Sequence, residues 1–161
     1  MYLNDEKLGQ RKVDDGFPVD HLDVERLLAD GRWLCPQKLR LIARSAFGDM
    51  FLASVDGQLY LLDVAVAKMT KIAESEDQFH TLSRNVEMRE LWFGEAEERE
   101  FALRGLVPTA DQCIAFSLPL AIRESGARAK PYIVDIYECV SFLGDFLTLM
   151  NKSVSFLTAR R

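Results

Sequence analysis

Between residues 38 and 73 the chain runs through short stretches of alternating side chains separated by turn residues, and this region constrains the fold more than any other. In residues 38–44, Leu39, Leu41 and Ala43 point one way and Lys38, Arg40, Ile42 and Arg44 the other, as successive residues of a strand do. Phe47-Gly48-Asp49 reads as a turn and residues 50–55 as a second strand. Asp56-Gly57 is a two-residue hairpin signal. Residues 58–64 form a third strand, with Leu59, Leu61 and Asp63 on one face and Tyr60, Leu62 and Val64 on the other. Residues 66–73 add a fourth strand or a short helix. The whole is expected to be an antiparallel meander over residues 38–73.

Helical patterns flank it. Pro18 opens one, with Val19, Leu22, Val24, Leu27 and Leu28 at roughly helical spacing, Asp20 and Asp23 in its first turn and Gly31 as its stop. Ser75 is an expected N-cap for a helix carrying Phe79 and Leu82. A further helix is expected over about residues 86–104, with Met88, Leu91, Trp92, Ala96, Phe101 and Leu103 as its apolar members and Gly105 as its end. Residues 111–118 and 132–137 read as strands, 119–129 as a loop and 138–150 as a packing helix. Residues 1–17 look like a polar lead-in, leaving 18–161 as a single domain. The expected fold is therefore α+β, an antiparallel sheet meander packed against several helices. The apolar second face of residues 58–64 asks either for cover on both faces or for an oligomer.

Composition sets limits on function. At 161 residues with 48% hydrophobic and 28% charged side chains, the chain suits one globular domain. No apolar run approaches the ~20 residues of a membrane span, and the polar start, MYLNDEKLGQRKVDDG, lacks a secretory core. A cytoplasmic protein without a membrane partner is the expectation. Cys35, Cys113 and Cys139 are far apart and odd in number, which suits reduced thiols and no zinc site. A net charge of −5 argues against direct nucleic-acid binding and is compatible with a basic protein partner.

Little in the sequence suggests catalysis. His21 and His80 sit in helical stretches among polar residues, while Cys113 and Cys139 lie among apolar ones and read as small hydrophobes. No glycine-rich phosphate loop occurs, so no cofactor is expected. Glu95, Glu97, Glu98 and Glu100 read as a solvated helix face. Asp135 and Glu138 flank Tyr137 and suit helix capping better than acid–base work.

The order of these segments carries a resemblance. Phe47-Gly48-Asp49, Asp56-Gly57, Ile72-Ala73 with Ser75 and Phe79, Trp92-Phe93, Gly105 with Gln112-Cys113, Phe116 and Pro119, and the stretch from Asp135 through Gly144 follow one another over residues 38–150. This resembles the C-terminal module of a bacterial type VI secretion immunity-protein family, which often follows a GAD-like domain and is related to the SMI-type immunity superfamily. Two departures stand out. Residues 1–37 are too short for the GAD-like domain, and Leu120-Ala121-Ile122-Arg123-Glu124 replaces a Leu-Gly-Gly stretch.

The resemblance implies an SMI-like fold and a non-enzymatic protein that neutralises a cognate toxin by occluding it. The toxin would be basic, a nuclease being one candidate. The alternative is a regulatory or scaffold module that binds an endogenous protein. Candidate contact residues are Glu95, Glu97, Glu98 and Glu100, the loop residues Arg123, Glu124, Arg128 and Lys130, and Asp135 with Glu138. Oligomeric state is left open.

Overall fold

The computed structural model describes residues 16–29, 38–117 and 129–141. Its centre is a four-stranded antiparallel sheet in sequence order: β1 (Leu39–Arg44), β2 (Met50–Ser54), β3 (Leu59–Asp63) and β4 (Lys68–Ala73). The fold is α+β, and the meander expected for residues 38–73 is present, with the fourth segment a strand.

β2 decides how the rest must pack. Met50, Phe51, Leu52 and Ala53 are all 3% exposed or less, so both faces of this central strand are buried. Met50 and Leu52 face one core with Leu41, Leu62 and Val64; Phe51 and Ala53 face another with Ala43 and Leu59. Each large side chain buried this way contributes about 1.5–3 kcal/mol. The chain's own elements cover both faces. On the first lie Val19, Leu22 and α1 (Val24–Leu27), together with Ile136, Cys139 and Val140 from a helix over residues 136–141, α5. On the second lie α2 (Glu76–Ser83) and α3 (Val86–Phe93), which bring Phe79, Trp92 and Phe93 onto Phe51. Phe79 and Trp92 stack with ring centroids 5.4 Å apart.

Register irregularities change three details. Between Leu41 and Ala43 the β1–β2 pairing shifts by one residue, a bulge at Ile42. Ala43 therefore joins the second core instead of following Leu41 into the first. Arg44, paired with Met50, is fully buried. Its guanidinium donates to the carbonyls of Ser45, Thr109 and Ala110 and lies 4.5 Å from the Phe17 ring centroid. Phe17 bridges to Arg44 through its backbone, so the end of the polar lead-in is packed against the sheet. The second hairpin has a three-residue loop in place of the expected two: Ser54 N–H donates to Gln58 O, Gly57 N–H donates to Ser54 O, and Gly57 takes φ 82°.

The helices also depart from their sequence pattern. Among the described residues, the stretch opened by Pro18 is α-helical over Val24–Leu27, where Asp23 caps the chain by accepting from Arg26 N. The long helix expected over residues 86–104 is two helices, α3 and α4 (Glu95–Leu103), broken at Gly94. Gly94 has φ 61° and ψ 43°, the left-handed conformation that glycine adopts at little cost. Ser75 caps α2 as expected, accepting from Gln78 N. β5 (Gln112–Phe116) and β6 (Pro131–Asp135) form a separate two-stranded ribbon. It is tied to the first hairpin by the Ile114 N–H donating to Ala46 O at 2.8 Å. A third, smaller core of Ala46, Phe101 and Ile114, edged by Phe47 and Phe116, joins α4 to this ribbon. Gly31, residues 119–128 of the loop expected over 119–129, and the part beyond residue 141 of the helix expected over 138–150 lie outside the described residues.

Candidate partner-binding surface

α4 carries the acidic run, and its register sorts the four glutamates into two sets. Glu98 and Phe101, three residues apart, face inward at 8% and 6% exposure. Glu95 is part-buried and its carboxylate pairs with the Arg89 guanidinium of α3. Arg89 also donates to Ser83 O and lies over the Phe93 ring. Glu97 and Glu100 remain exposed. The reading of all four as a solvated face is therefore corrected for Glu95 and Glu98. The run is longer than one helix face, so part of it must turn toward the protein.

The outward surface is completed from α3. Glu87 and Glu90 are exposed, and Glu90 Oε2 accepts from the first-turn Ala96 N–H of α4 at 2.9 Å. Three apolar side chains of these two helices stand in solvent: Val86 at 80%, Leu91 at 74% and Leu103 at 75%. Arg104 lies 3.9 Å from Glu100, an exposed i,i+4 pair that adds little stability. Each of α3 and α4 thus presents exposed carboxylates and at least one exposed large apolar group, a composition that suits a protein surface with basic and apolar groups.

Three further candidates, Lys130, Asp135 and Glu138, lie on or beside the β5–β6 ribbon. Asp135 caps α5: Oδ1 accepts from Tyr137 N at 2.8 Å and Glu138 N at 3.3 Å. That is the structural role its position suggested. Glu138 is exposed at the same end. Lys130 is at the other, where Ser117 and Lys130 exchange hydrogen bonds at 2.9 Å. Pro131 and Asp135 are four strand steps apart, about 13 Å. Phe116, which pairs with Pro131, packs edge-on against the α4 side chain Phe101, so Lys130 lies toward α4 and Asp135 with Glu138 away from it. Arg123, Glu124 and Arg128 lie outside the described residues.

A buried polar cluster at the first hairpin has no counterpart in the sequence reading. Ser45 Oγ accepts from the Phe47 and Asp49 amides and donates to Asp49 Oδ2, while Val64 N–H donates to Asp49 Oδ1 at 3.0 Å. Burial and the nearby Asp63 push the Asp49 carboxyl up to about 6, against the pull of those hydrogen bonds. Beside it, the thiols of Cys113 and Cys139 meet; that contact raises the Cys113 pKa and lowers that of Cys139. The signal that could have pointed here is the spacing Ser45–Asp49, a side chain able to hold a turn from each end.

His21 pairs with Asp111 at 2.9 Å on the surface, and His80 packs against Phe79 in α2. Among the described residues, no group of three or more His, Cys, Asp or Glu side chains is placed to hold a metal ion. No described helix is long and apolar enough to cross a membrane. No protein-family model matches the chain, and no curated protein matches it at a significant level.

Proposed function

We propose that this chain is an immunity protein that binds a cognate bacterial toxin and neutralises it by covering its working surface. The observation that carries the reading is the outer surface of α3 and α4, where exposed Glu87, Glu97 and Glu100 stand on the same two helices as exposed Leu91 and Leu103. Carboxylates steer a basic partner into encounter and set its orientation, while burial of apolar groups supplies affinity. The net charge of −5 acts in the same direction. The resemblance of residues 38–150 to type VI secretion immunity modules supplies the identity of the partner, a toxin delivered between bacteria. The location that follows is cytoplasmic, where an incoming toxin would act.

The test is co-expression. The product of each gene adjacent to this one is produced in a host with and without the chain, and growth is followed. Rescue from a toxic neighbour is the expected result. A toxic neighbour that still kills when both proteins are abundant would overturn the reading and favour a regulatory module with an endogenous partner.

A further inference from the structure

Two of the three cysteines, 26 positions apart in sequence, come together beneath the first hairpin. Cys113 lies on β5 and is fully buried; Cys139 lies on α5 at 7% exposure; both are free thiols. Their approach follows from the backbone. β5 pairs with β6, placing Cys113 opposite Val134, and Ile136 N–H donates to Asp111 O at 2.9 Å as the chain turns into α5. A Cβ built on Gly48 would lie 3.5 Å from Cys113 Sγ and 3.4 Å from Ile136 Cδ1, so the two side chains flank one point. Cys139 follows Ile136 by three residues, the spacing that puts two side chains on one helix face. Both sulfurs belong to the first core, close enough for each thiol to shift the other's proton affinity.

We propose that Cys113 and Cys139 form a reversible dithiol–disulfide couple, closed by a small disulfide oxidant such as oxidised glutathione, that locks α5 to β5. Cys139 is the attacking group. It is the more exposed of the two, at 7% against 0% for Cys113, so an oxidant reaches it first. Its sulfur gives up a proton and attacks one sulfur of the oxidant. A Cys139–glutathione bond forms, the oxidant's disulfide breaks, and the first glutathione leaves carrying that proton. Cys113 Sγ then attacks Cys139 Sγ. The protein disulfide forms, the mixed disulfide breaks, and the second glutathione leaves with the Cys113 proton. Two electrons pass from the cysteine sulfurs to the oxidant, which ends as two thiols.

The experiment uses the full chain carrying Cys35→Ser, so that the third cysteine cannot compete. The folded protein is exposed to oxidised glutathione, quenched with an alkylating reagent, weighed intact and mapped by digestion. The expected product has lost two hydrogens, retains no glutathione, yields a Cys113–Cys139 cross-linked peptide and returns to the dithiol with dithiothreitol. Its unfolding midpoint in urea rises on oxidation. Adding Cys113→Ala stops the reaction at a glutathione adduct on Cys139. Two alkylated thiols after exposure, two glutathione adducts on one chain, or a cross-link that appears only in denaturant would each overturn the proposal. If the Cys113→Ala chain lacks the circular dichroism of the parent, the peptide map of the Cys35→Ser chain decides alone.

Discussion

Ser45 and Asp49 hold the first hairpin from inside: the serine hydroxyl donates to Asp49 Oδ2 at 3.1 Å while accepting the Asp49 amide, also at 3.1 Å. The carboxylate's other oxygen takes the Val64 amide, so one side chain fixes the turn and the exit of β3 together. These bonds come with a cost, because the carboxylate is held out of water and near Asp63.

That cost makes stability depend on pH. The folded-state pKa of Asp49 is about 6 against an ordinary 3.8, so the unfolded chain loses this proton first. Stability is therefore undiminished by Asp49 below about 3.8, falls as pH rises toward 6, and is level above it. The full step is about 2–3 kcal/mol. Asp49→Asn keeps an acceptor for Val64 N–H and cannot ionise. Urea unfolding across this pH range should show the variant gaining on the native chain as pH rises, becoming the more stable at neutral pH. Parallel curves would mean that Asp49 does not titrate with folding.

Gly94 and Gly57 both have positive φ, yet their substitution should differ in cost. A Cβ on Gly57 meets nothing within 4 Å, so Gly57→Ala carries backbone strain alone, about 1 kcal/mol. A Cβ on Gly94 would lie 3.0 Å from Phe47 Cε2, in the core that joins α4 to the ribbon. Gly94→Ala should cost about 1–2 kcal/mol more than Gly57→Ala, because Phe47 must shift against Phe101 and Phe116. Equal urea midpoints would show that Phe47 moves aside freely.

The second core should be the most sensitive place in the sheet. Phe79 is fully buried against Phe51 and Trp92. Phe79→Ala should lose about 3–5 kcal/mol, whereas Leu91→Ala, at 74% exposure, should change stability by less than about 0.5 kcal/mol. The pair measured together separates a folding role from a surface one, and Leu91→Ala is then available for binding work.

The parts of this fold readable in the sequence are those set by local chemistry. Alternation in β3 places Leu59 and Leu61 opposite Leu62 and Val64, and the same faces appear in the structure. Ser75 caps α2 because a hydroxyl there meets a free amide whatever the tertiary context. What escaped depends on register or on distant pairing. A bulge at Ile42 adds one residue without any change in composition, yet it moves Ala43 to the other face. Gly94 interrupts a helical period that continues across it, and a glycine within such a period gives no direction. Glu98 sits in a charged run, but its inward position follows from its phase with Phe101. The meeting of Cys113 with Cys139 needs the β5–β6 pairing and the first turn of α5, neither visible from either cysteine's neighbours.

The most direct test is calorimetric titration of the chain with the toxic product of an adjacent gene, at low and at physiological salt. The native chain should bind one to one with a Kd of roughly nanomolar order, more weakly as salt rises. The double substitution Glu97→Lys, Glu100→Lys should fold normally, since both side chains are exposed, and should slow association by roughly tenfold. No binding to any neighbouring product, or binding indifferent to both salt and charge reversal, would contradict the assignment of the α3–α4 surface to a basic toxin.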